Sequence, residues 1–342
     1  MNVLVTGGAG YIASHAVLRL LTEGHQVTVV DNLVRGHRET IETLRAFGDL
    51  LFVEADIGDR PIVERVLRER RVELVMHFAA MAYVGESVLQ PLRYYRANSA
   101  GMLSLLEAMD ATGVNRLVFS STCATYGEPP PERVPIREDC PQRPINPYGR
   151  SKLHGEQFVR DYASACAATG RPFHAVFLRY FNVAGADALG RIGEWHDPET
   201  HIIPLALQAA LGRRAAFTIF GEDYPTPDGT CIRDYVHVED LVDAHVRAMH
   251  QIDRLAPEEP AAFNVGIGRG YSVREVVDAC QRVSHARFAV KSGARRPGDP
   301  PTLFADGSRI RHALGWSPRY VSLDQIIQTA WNWERRRAEV HV

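Results

Sequence analysis

The chain has 342 residues, and its 39 lysine and arginine residues nearly balance its 41 aspartate and glutamate residues. This length suits one large or two medium domains with a substantial core. Without a basic excess no nucleic-acid partner is expected, and no apolar run reaches the length of a membrane span. Because the first residues enter a strand pattern rather than a signal sequence, the protein is expected to act in the cytoplasm.

The cysteines and histidines give no sign of a metal site. The five cysteines lie at irregular spacings, at Cys123, Cys140, Cys166, Cys231 and Cys280. No Cys-x-x-Cys pair or Cys/His ligand spacing accompanies them, so neither a disulfide framework nor a zinc site is predicted. His245 and His250 lie in a helix-like stretch and are interpreted as surface residues.

The chain begins with a strand, a glycine turn and a helix. Residues 2–6 form an apolar strand, the turn runs from Gly7 through Gly10 to Ala13, and residues 14–21 have helical apolar spacing. In dinucleotide-binding folds such a turn lets the pyrophosphate approach the backbone at the helix N-terminus. The opening stretch therefore predicts a dinucleotide site.

The second predicted strand, residues 26–31, ends in an acid. Asp31 is placed to accept hydrogen bonds from the adenosine ribose hydroxyls, and this favours NAD over NADP, whose extra phosphate would meet a like charge. Arg35 and Arg38 lie nearby and could soften that preference. The alternative role for Asp31 is that of a turn residue before Asn32.

The alternation of strands and helices continues through the first half. Strands are predicted over 51–56, 74–79 and 116–120, and helices over 60–70 and 91–111. Continuous apolar strands alternating with amphipathic helices predict an α/β fold with a Rossmann-type, doubly wound parallel sheet. Ligands bind beyond the carboxyl ends of such strands. These ends carry Asp56-Ile57, Phe78-Ala79-Ala80 and Ser120-Ser121-Thr122, although a core position suits Phe78 equally well.

A helix opening at Pro147 carries a tyrosine and a lysine one turn apart, Tyr148 and Lys152. Residues four apart lie on one face of a helix. Lys152 is also one of only two lysines among the 39 basic residues. An ammonium group near a phenol favours the phenolate, which a general base needs. A chance Tyr-x-x-x-Lys match is the alternative.

Taken together, these stretches resemble the extended short-chain dehydrogenase/reductase family and, within it, the UDP-glucose 4-epimerases. The glycine turn and the Tyr-x-x-x-Lys pair specify only the superfamily, whereas the stretch 221–237 is more particular to the epimerases. The matching stretches are 5–12, 31–32, 77–80, 84–87, 91–95, 119–122, 126–127, 146–152, 178–182, 220–226, 228–230, 233–237 and 295–299.

The resemblance implies a role for three side chains. Tyr148 resembles the catalytic base, Lys152 the residue that holds the nicotinamide ribose, and Thr122 the hydroxyl bonded to the sugar hydroxyl being oxidised. The resemblance also implies bound NAD, in contact with Gly7, Gly10, Tyr11, Ile12, Asp31, Asn32, Asp56, Ile57, Phe78, Ala79, Ala80, Asn98, Ser120, Tyr148, Lys152 and Tyr180. A UDP-sugar substrate would contact Thr122, Tyr148, Asn182, His201, Ile202, Thr218, Phe220, Arg233, Arg296, Asp299 and Leu303. No metal ion is implied.

Several positions depart from the family pattern. No lysine stands in the loop 81–83, and residues 99–102 match only loosely. His201 stands where other epimerases have an asparagine against the nucleotide, and Leu303 stands at the position that gates the sugar 2-substituent. The preferred sugar is therefore left open among UDP-glucose or UDP-galactose, a UDP-N-acetylhexosamine and a UDP-pentose.

Two other functions were weighed. A nucleotide-sugar 4,6-dehydratase needs an acid–base pair directly after the active-site threonine, where this chain has Cys123 and Ala124. A non-enzymatic NAD-sensing regulator is the second, but such proteins often lose the tyrosine–lysine pair that this chain keeps.

The second half is predicted to form a smaller α/β substrate domain over 180–342, intertwined with the NAD-binding domain over 1–179. Residues of about 234–266 are expected to return to the first domain. Asp228, Asp234 and Glu239 are expected to form ion pairs and cap loops rather than bind metal. Residues 335–342 are expected to be a frayed end. The elements predicted here are helices 204–211, 239–251, 273–284 and 323–337, and a strand at 263–266.

A homodimer is also expected. The predicted helices 91–111 and 148–168 carry apolar residues on more than one face. The family resemblance implies that these helices pair across a two-fold interface.

Overall fold

The structure is a computed structural model that describes residues 1–255, 259–296 and 299–340. The strands of this described part, numbered in chain order, are β1 (Asn2–Thr6), β2 (Gln26–Asp31), β3 (Leu50–Glu54), β4 (Leu74–His77), β5 (Arg116–Ser120), β6 (His174–Tyr180), β7 (Asn182–Ala184), β8 (Phe217–Phe220), β9 (Ile232–His237), β10 (Ala261–Val265), β11 (Gly270–Ser272), β12 (Val290–Gly293) and β13 (Thr302–Leu303).

The described part also contains α-helices. In chain order they are α1 (Tyr11–Thr22), α2 (Arg38–Leu44), α3 (Arg60–Glu69), α4 (Val84–Leu89), α5 (Pro91–Tyr94), α6 (Gly101–Thr112), α7 (Pro147–Ala168), α8 (Ile202–Ala210), α9 (Val238–Gln251), α10 (Val273–Ser284), α11 (Ser308–Leu314) and α12 (Leu323–Val340). A π-helical turn, Tyr95–Ala100, joins α5 to α6. Among the described residues, no helix combines the length and apolar character needed to cross a membrane.

The main sheet has seven strands in the order β10-β6-β5-β4-β1-β2-β3. The neighbouring pairs from β3 to β6 are parallel. From β3 to β6 the order reverses between β1 and β4, which is the strand order of a doubly wound dinucleotide-binding fold. Buried residues of α3, α6 and α7 form one apolar core with the sheet. The predicted Rossmann-type fold is therefore confirmed.

The chain divides into two compact units. The first comprises residues 1–127, 141–179 and 242–263, and the second comprises 128–140, 180–241 and 264–342. In the second unit, β9 pairs with β7, β11 and β13, and β12 pairs with β8. Helices α8, α10 and α12 form its apolar core.

Some element boundaries differ from the predictions. The first helix begins directly after Gly10 rather than at residue 14, and β4 ends at His77, so Phe78 lies beyond it. The helix predicted over 91–111 is two α-helices with the π-helical turn between them.

The prediction of a frayed end was wrong for residues 335–340, which continue α12, whereas 341–342 lie outside the described residues. Packing explains this difference, because Glu334 is only 2% exposed. In the next turn of α12, the Arg337 guanidinium lies 4.8 Å from the centroid of the Trp195 ring. The last turns of the helix therefore have partners that a terminal position does not suggest.

Candidate functional site

The glycine turn between β1 and α1 has no room for side chains. Gly7 has a φ of +76°, and a Cβ there would lie 2.8 Å from the backbone of Ala79. A Cβ on Gly10 would lie 3.3 Å from the Gly7 carbonyl oxygen. Tyr11 opens α1 with Ile12 next to it, so the N-terminus of the helix directly follows the turn. This arrangement fits the pyrophosphate of a dinucleotide, which needs a bare backbone and a helix N-terminus.

Asp31 links the end of β2 to the glycine turn. Its carboxylate accepts hydrogen bonds from the backbone N–H groups of Ala9 at 3.0 Å and Leu33 at 2.8 Å. Burial raises the pKa of Asp31, although these two N–H groups oppose the shift. An ionised carboxylate offers about four acceptor positions, so these bonds leave capacity for ribose hydroxyls.

The two arginines near Asp31 are engaged by other carboxylates. Arg35 donates to Glu86 at 2.7 and 2.8 Å, and its guanidinium lies over the Tyr83 ring. Arg38 pairs with Glu54. Neither arginine therefore stands ready for the extra phosphate of NADP, which strengthens the preference for NAD.

Asn32 and Asp56 connect the ends of β2 and β3. The Asn32 side-chain amide donates to Asp56 at 2.7 Å, and the other Asp56 oxygen accepts from the Gly58 N–H. Ile57 is 6% exposed, and its side chain would be only 2.9 Å from a Cβ on Gly101 of α6. These contacts bring three of the predicted cofactor residues to one edge of the sheet.

The ends of β4 and β5 meet a histidine from a distant segment. Phe78, Ala79 and Ala80 are half-buried just beyond β4. The Phe78 ring stacks on His245 with centroids 4.6 Å apart, and the Ser120 hydroxyl lies 2.8 Å from His245 Nε2. The interpretation of His245 as a surface residue was wrong, because α9 returns to the main sheet and leaves this side chain 0% exposed.

Helix α7 presents the predicted base. Its N-terminus is capped by Asn146, whose side-chain oxygen accepts from the Gly149 N–H at 2.9 Å, and Pro147 occupies the first turn. This combination of cap and proline fixes where the helix begins. Tyr148 in that first turn is 7% exposed and packs with Met81 and Tyr94.

Lys152 is held in a buried position one turn after Tyr148. Its ammonium donates to the Ser120 carbonyl oxygen at 2.9 Å and lies 4.9 Å from the centroid of the Phe119 ring. Burial lowers the pKa of Lys152 to about 7, although the charge of Glu156 acts in the opposite direction. The lysine amine is therefore held on the tyrosine face of α7 and shielded from solvent, and a pKa of about 7 leaves it only partly protonated at neutral pH.

His77, at the end of β4, stays neutral beside this lysine. Its Nδ1 lies 2.8 Å from the Thr6 hydroxyl, and its ring stacks on Phe119. Burial, reinforced by the Lys152 charge, lowers the pKa of His77 to about 3. The imidazole therefore adds no second positive charge to the site at neutral pH.

Asn98, a predicted cofactor residue, lies in the π-helical turn and is committed to protein partners. Its side-chain oxygen accepts from the Met81 N–H at 2.8 Å, and its amide nitrogen donates to the Met81 carbonyl and the Ser151 hydroxyl. Ser151 in turn donates to the Tyr148 carbonyl. Asn98 thus positions the loop after β4 and the first turn of α7.

Thr122, the predicted hydroxyl partner of the substrate, follows β5. It is 6% exposed, and its Oγ1 accepts from the Ala124 N–H at 3.2 Å. Since a hydroxyl both donates and accepts, this bond leaves the Thr122 proton available to a substrate oxygen. Tyr180 is half-buried at the end of β6.

A buried ion pair that sequence reasoning missed lies one turn beyond Lys152. Glu156 and Arg179 form a two-pronged contact with Nε–Oε1 at 2.9 Å and Nη2–Oε2 at 2.5 Å. Both side chains are at most 2% exposed. Ser121 donates to the same carboxylate, and Arg179 donates to the Tyr126 hydroxyl. The pair ties α7 to β6 and to the end of β5.

The second unit contains an open pocket of about 160 Å³. Its wall comes from the start of α8, strand β8 and the stretch after β12, and it includes two arginines, Arg214 and Arg296. The Arg296 guanidinium lies 4.3 Å from the centroid of the Phe220 ring. The pocket brings together five predicted substrate residues, Ile202, Thr218, Phe220, Arg296 and Asp299.

The remaining predicted substrate residues of this unit lie elsewhere. Arg233 in β9 forms an ion pair with Asp299 and is thereby linked to the pocket wall. Asn182 begins β7 beside Tyr235 of β9, and Leu303 in β13 is 8% exposed beside Arg233. His201 precedes α8 and lies among acidic side chains, at 2.7 Å from Glu194.

The three acids considered for a metal cluster cap loops and form ion pairs, as predicted. Asp234 accepts from three backbone N–H groups, those of Ile267, Gly268 and Ala305. Asp228 accepts from the backbone and hydroxyl of Thr230. Glu239 pairs with Arg319.

Comparison with known proteins agrees with this geometry. Residues 3–266 match the family described as the NAD dependent epimerase/dehydratase family. The chain is 49% identical over 336 residues to the UDP-glucose 4-epimerase of Rhizobium meliloti (strain 1021), with 98% of each chain covered. It is 46% identical over 343 residues to a probable UDP-arabinose 4-epimerase of Oryza sativa subsp. japonica, covering 98% of this chain and 82% of the relative.

A solved structure is similar over nearly the whole chain. It is a UDP-glucose-4-epimerase from Stenotrophomonas maltophila with bound NAD and formylated UDP-arabinopyranose. The TM-score is 0.93 at 39% identity, with 99% of each chain covered.

Proposed function

The chain belongs to the NAD dependent epimerase/dehydratase family, and we propose that it inverts the C4 hydroxyl of a UDP-hexose, interconverting UDP-glucose and UDP-galactose. One observation carries this proposal: buried Tyr148 and Lys152 lie one turn apart on the same face of α7. The Lys152 amine is held there by its hydrogen bond to the Ser120 carbonyl oxygen. Thr122 lies two residues beyond the strand that ends at Ser120 and supplies a hydroxyl.

Tyr148 acts as the base in this proposal. The protonated form of Lys152 favours the phenolate, which removes the proton of the sugar C4 hydroxyl. Thr122 donates a hydrogen bond to the same oxygen. NAD, when bound, supplies a reversible hydride acceptor and donor. Once the 4-keto sugar has rotated to present its opposite face, the hydride would return to that face of C4 and Tyr148 would return the proton to the oxygen, which inverts the C4 configuration.

The first unit has the residues that NAD needs. The bare glycine turn suits its pyrophosphate, and Asp31 suits its adenosine ribose. We propose that Lys152 contacts the nicotinamide ribose. We propose that NAD stays bound through turnover, because the reaction returns the cofactor to its starting state.

The second unit is proposed to hold the UDP part of the substrate. Arg296 and Arg233 provide guanidinium groups, which suit a diphosphate in charge and geometry. Phe220 and Ile202 give the pocket an apolar wall for the base. The proposed domains are accordingly an NAD-binding domain, 1–179, and a substrate domain, 180–342, with about 234–266 returning to the first.

A UDP-pentose is the second candidate substrate. The solved relative that holds formylated UDP-arabinopyranose and the rice relative named for UDP-arabinose both favour it. A pentose lacks C6 but has the same C4 hydroxyl, so Tyr148 and Thr122 could act on it unchanged. Whether the site accepts a UDP-N-acetylhexosamine depends on the space near Leu303.

We further propose a homodimer formed through the region of α4 to α6 and α7. Leu89 and Leu92 are 82% and 81% exposed, and Leu103 on α6 is 48% exposed. Large apolar side chains this exposed mark an interaction surface when they cluster. Cytoplasmic action is proposed as well, since none of the five cysteines, all of them among the described residues, forms a disulfide, as in reducing compartments.

The experiment that tests the function compares Tyr148→Phe with wild type. Turnover of UDP-galactose should fall by at least about 100-fold, the usual contribution of a general base, while NAD remains bound. Tyr162→Phe is the control, because Tyr162 lies on the same helix but donates to Asp110 at the exposed face. A Tyr148→Phe enzyme with near-normal turnover would overturn the assignment.

A further inference from the structure

Two histidines and two glutamates converge between β7 and α8, in the segment Glu194-x-His196-x-x-Glu199-x-His201. The His196 Nδ1 lies 3.3 Å from Glu194 and 3.6 Å from Glu199. The His201 Nδ1 lies 2.7 Å from Glu194 and 3.4 Å from Glu199. One ligand atom from each of the four residues lies within 4.8 Å of all the others.

These separations match the edges of a metal coordination shell. Zinc binds imidazole nitrogen and carboxylate oxygen at about 2.0–2.2 Å in a tetrahedron, which puts neighbouring ligand atoms about 3.3–3.6 Å apart. Three of the four nitrogen–oxygen distances fall at that spacing, and the fourth is shorter.

Glu194 provides an independent observation. Its side chain is 5% exposed, and within the described residues its Oε1 has no hydrogen-bond partner. This oxygen nevertheless approaches both imidazole nitrogens, so the contacts lack hydrogen-bond geometry. If the two imidazoles are neutral, this buried carboxylate oxygen has no positively charged partner, and a cation among the four groups would supply one.

Hydrogen bonds from neighbouring groups hold the Glu199 carboxylate and the Glu194 backbone in place, as the partners of metal ligands do. The backbone N–H groups of Thr200 and His201 donate to Glu199 Oε1 at 2.7 and 2.8 Å. The Trp333 indole N–H of α12 donates to the Glu194 carbonyl oxygen at 2.9 Å. His201 is 45% exposed, and an ion can therefore enter from solvent.

We propose that Glu194, His196, Glu199 and His201 form a structural site for one divalent transition-metal ion of the zinc type, with two nitrogen and two oxygen donors. Four protein ligands leave no open position for catalysis. The ion fixes the segment 194–201 to the N-terminus of α8. Because Ile202 and Leu205 of α8 line the pocket of the second unit, the ion also stabilises that pocket wall.

The competing state is a cluster of ion pairs between imidazolium and carboxylate groups. Burial lowers the pKa of both histidines, but the two carboxylates outweigh it and raise both values. In that state the positive charge comes from protons rather than from an ion. Metal binding distinguishes the two states, because zinc needs neutral imidazoles and releases protons on binding.

The test measures zinc directly on the full-length, tag-free protein after dialysis against a chelator. Titration with zinc chloride against a competing colorimetric chelator should show one tight site per chain, and zinc should raise the thermal midpoint. The double variant His196→Gln/His201→Gln should bind zinc at least about 100-fold more weakly, since loss of an outer-shell partner alone costs 10–100-fold. Glu194→Gln, which keeps the side-chain shape, should weaken binding in the same direction.

His250→Gln is the matched control, because His250 belongs to the other described cluster of possible ligands, with Glu23 and His25. It should leave the tight site unchanged. If wild type takes up no zinc at micromolar concentration, the ion-pair state is correct and the proposal fails. The proposal also fails if binding is lost in His250→Gln but kept in Glu194→Gln. None of these outcomes depends on epimerase turnover.

Discussion

Replacing Glu156 by alanine should lower the free energy of unfolding by about 3–5 kcal/mol, the cost of leaving a buried charge without its partner. In wild type, Glu156 and Arg179 have side chains that are 1% and 2% exposed and share two short contacts. Alanine would leave the Arg179 guanidinium buried with the Tyr126 hydroxyl as its acceptor. A neutral hydroxyl does not balance a buried positive charge.

The magnitude can be compared within the same protein. Arg60 and Glu64 also pair on a helix, at 2.6 Å, but the arginine side chain is 44% exposed. Exposed pairs of this kind contribute little to stability, so Glu64→Ala, which removes the pairs with Arg60 and Arg68, should cost far less than Glu156→Ala.

Urea unfolding followed by circular dichroism measures both variants under identical conditions. Glu156→Ala should shift the midpoint far more than Glu64→Ala does. The double variant Glu156→Leu/Arg179→Met should be less destabilised than Glu156→Ala, because no unpaired charge remains. A cost below about 1 kcal/mol for Glu156→Ala would refute the reasoning that this pair is dry and tightly coupled.

Two further predictions concern stability at low pH and assembly. Burial lowers the pKa of His77 from 6.5 to about 3, so the unfolded chain binds a proton that the native protein does not, and stability falls as the pH falls below 6.5. At pH 5 this loss of unfolding free energy is about 2 kcal/mol. Urea unfolding at pH 7 and at pH 5 measures it, and His77→Asn should reduce the difference between the two free energies by that amount. An unchanged difference in the variant would contradict the prediction. Leu92→Asp should convert the dimer into a monomer in sedimentation at micromolar concentration, because Leu92 is 81% exposed on the proposed interface. A wild-type protein that is already monomeric at that concentration would contradict the proposed dimer.

The sequence predicted the parts of the site whose chemistry is local. The glycine turn could be predicted because Gly7 adopts a positive φ, which favours glycine, beside the Ala79 backbone. The start of α7 is local as well, since Asn146 and Pro147 cap and initiate it. Strand ends followed by polar residues identified the edge where Ser120 lies.

The missed features depend on contacts between distant segments. His245 reaches Ser120 across 125 positions of the chain, and nothing in its own helix distinguishes it from an exposed histidine. Arg179 and Glu156 are likewise ordinary residues until β6 and α7 meet. The π-helical turn that places Asn98 against Met81 also follows from packing, because the sequence 91–111 reads as one continuous helix.

The Glu194–His201 cluster is a different kind of omission. Its donors lie within one segment, and their spacing was visible in the sequence. Cysteine pairs are the usual sequence sign of a structural zinc site, and this segment, with two glutamates and two histidines, contains no cysteine.

The central claim is tested most directly by incubating the purified protein with UDP-galactose, without added cofactor, and identifying the product by chromatography and NMR. We expect UDP-glucose as the product, formed with NAD that stays on the protein. UDP-N-acetylgalactosamine and UDP-arabinose, incubated separately, show which sugars the site also accepts. Absence of UDP-glucose from the UDP-galactose reaction, with NAD bound, would contradict the proposed activity.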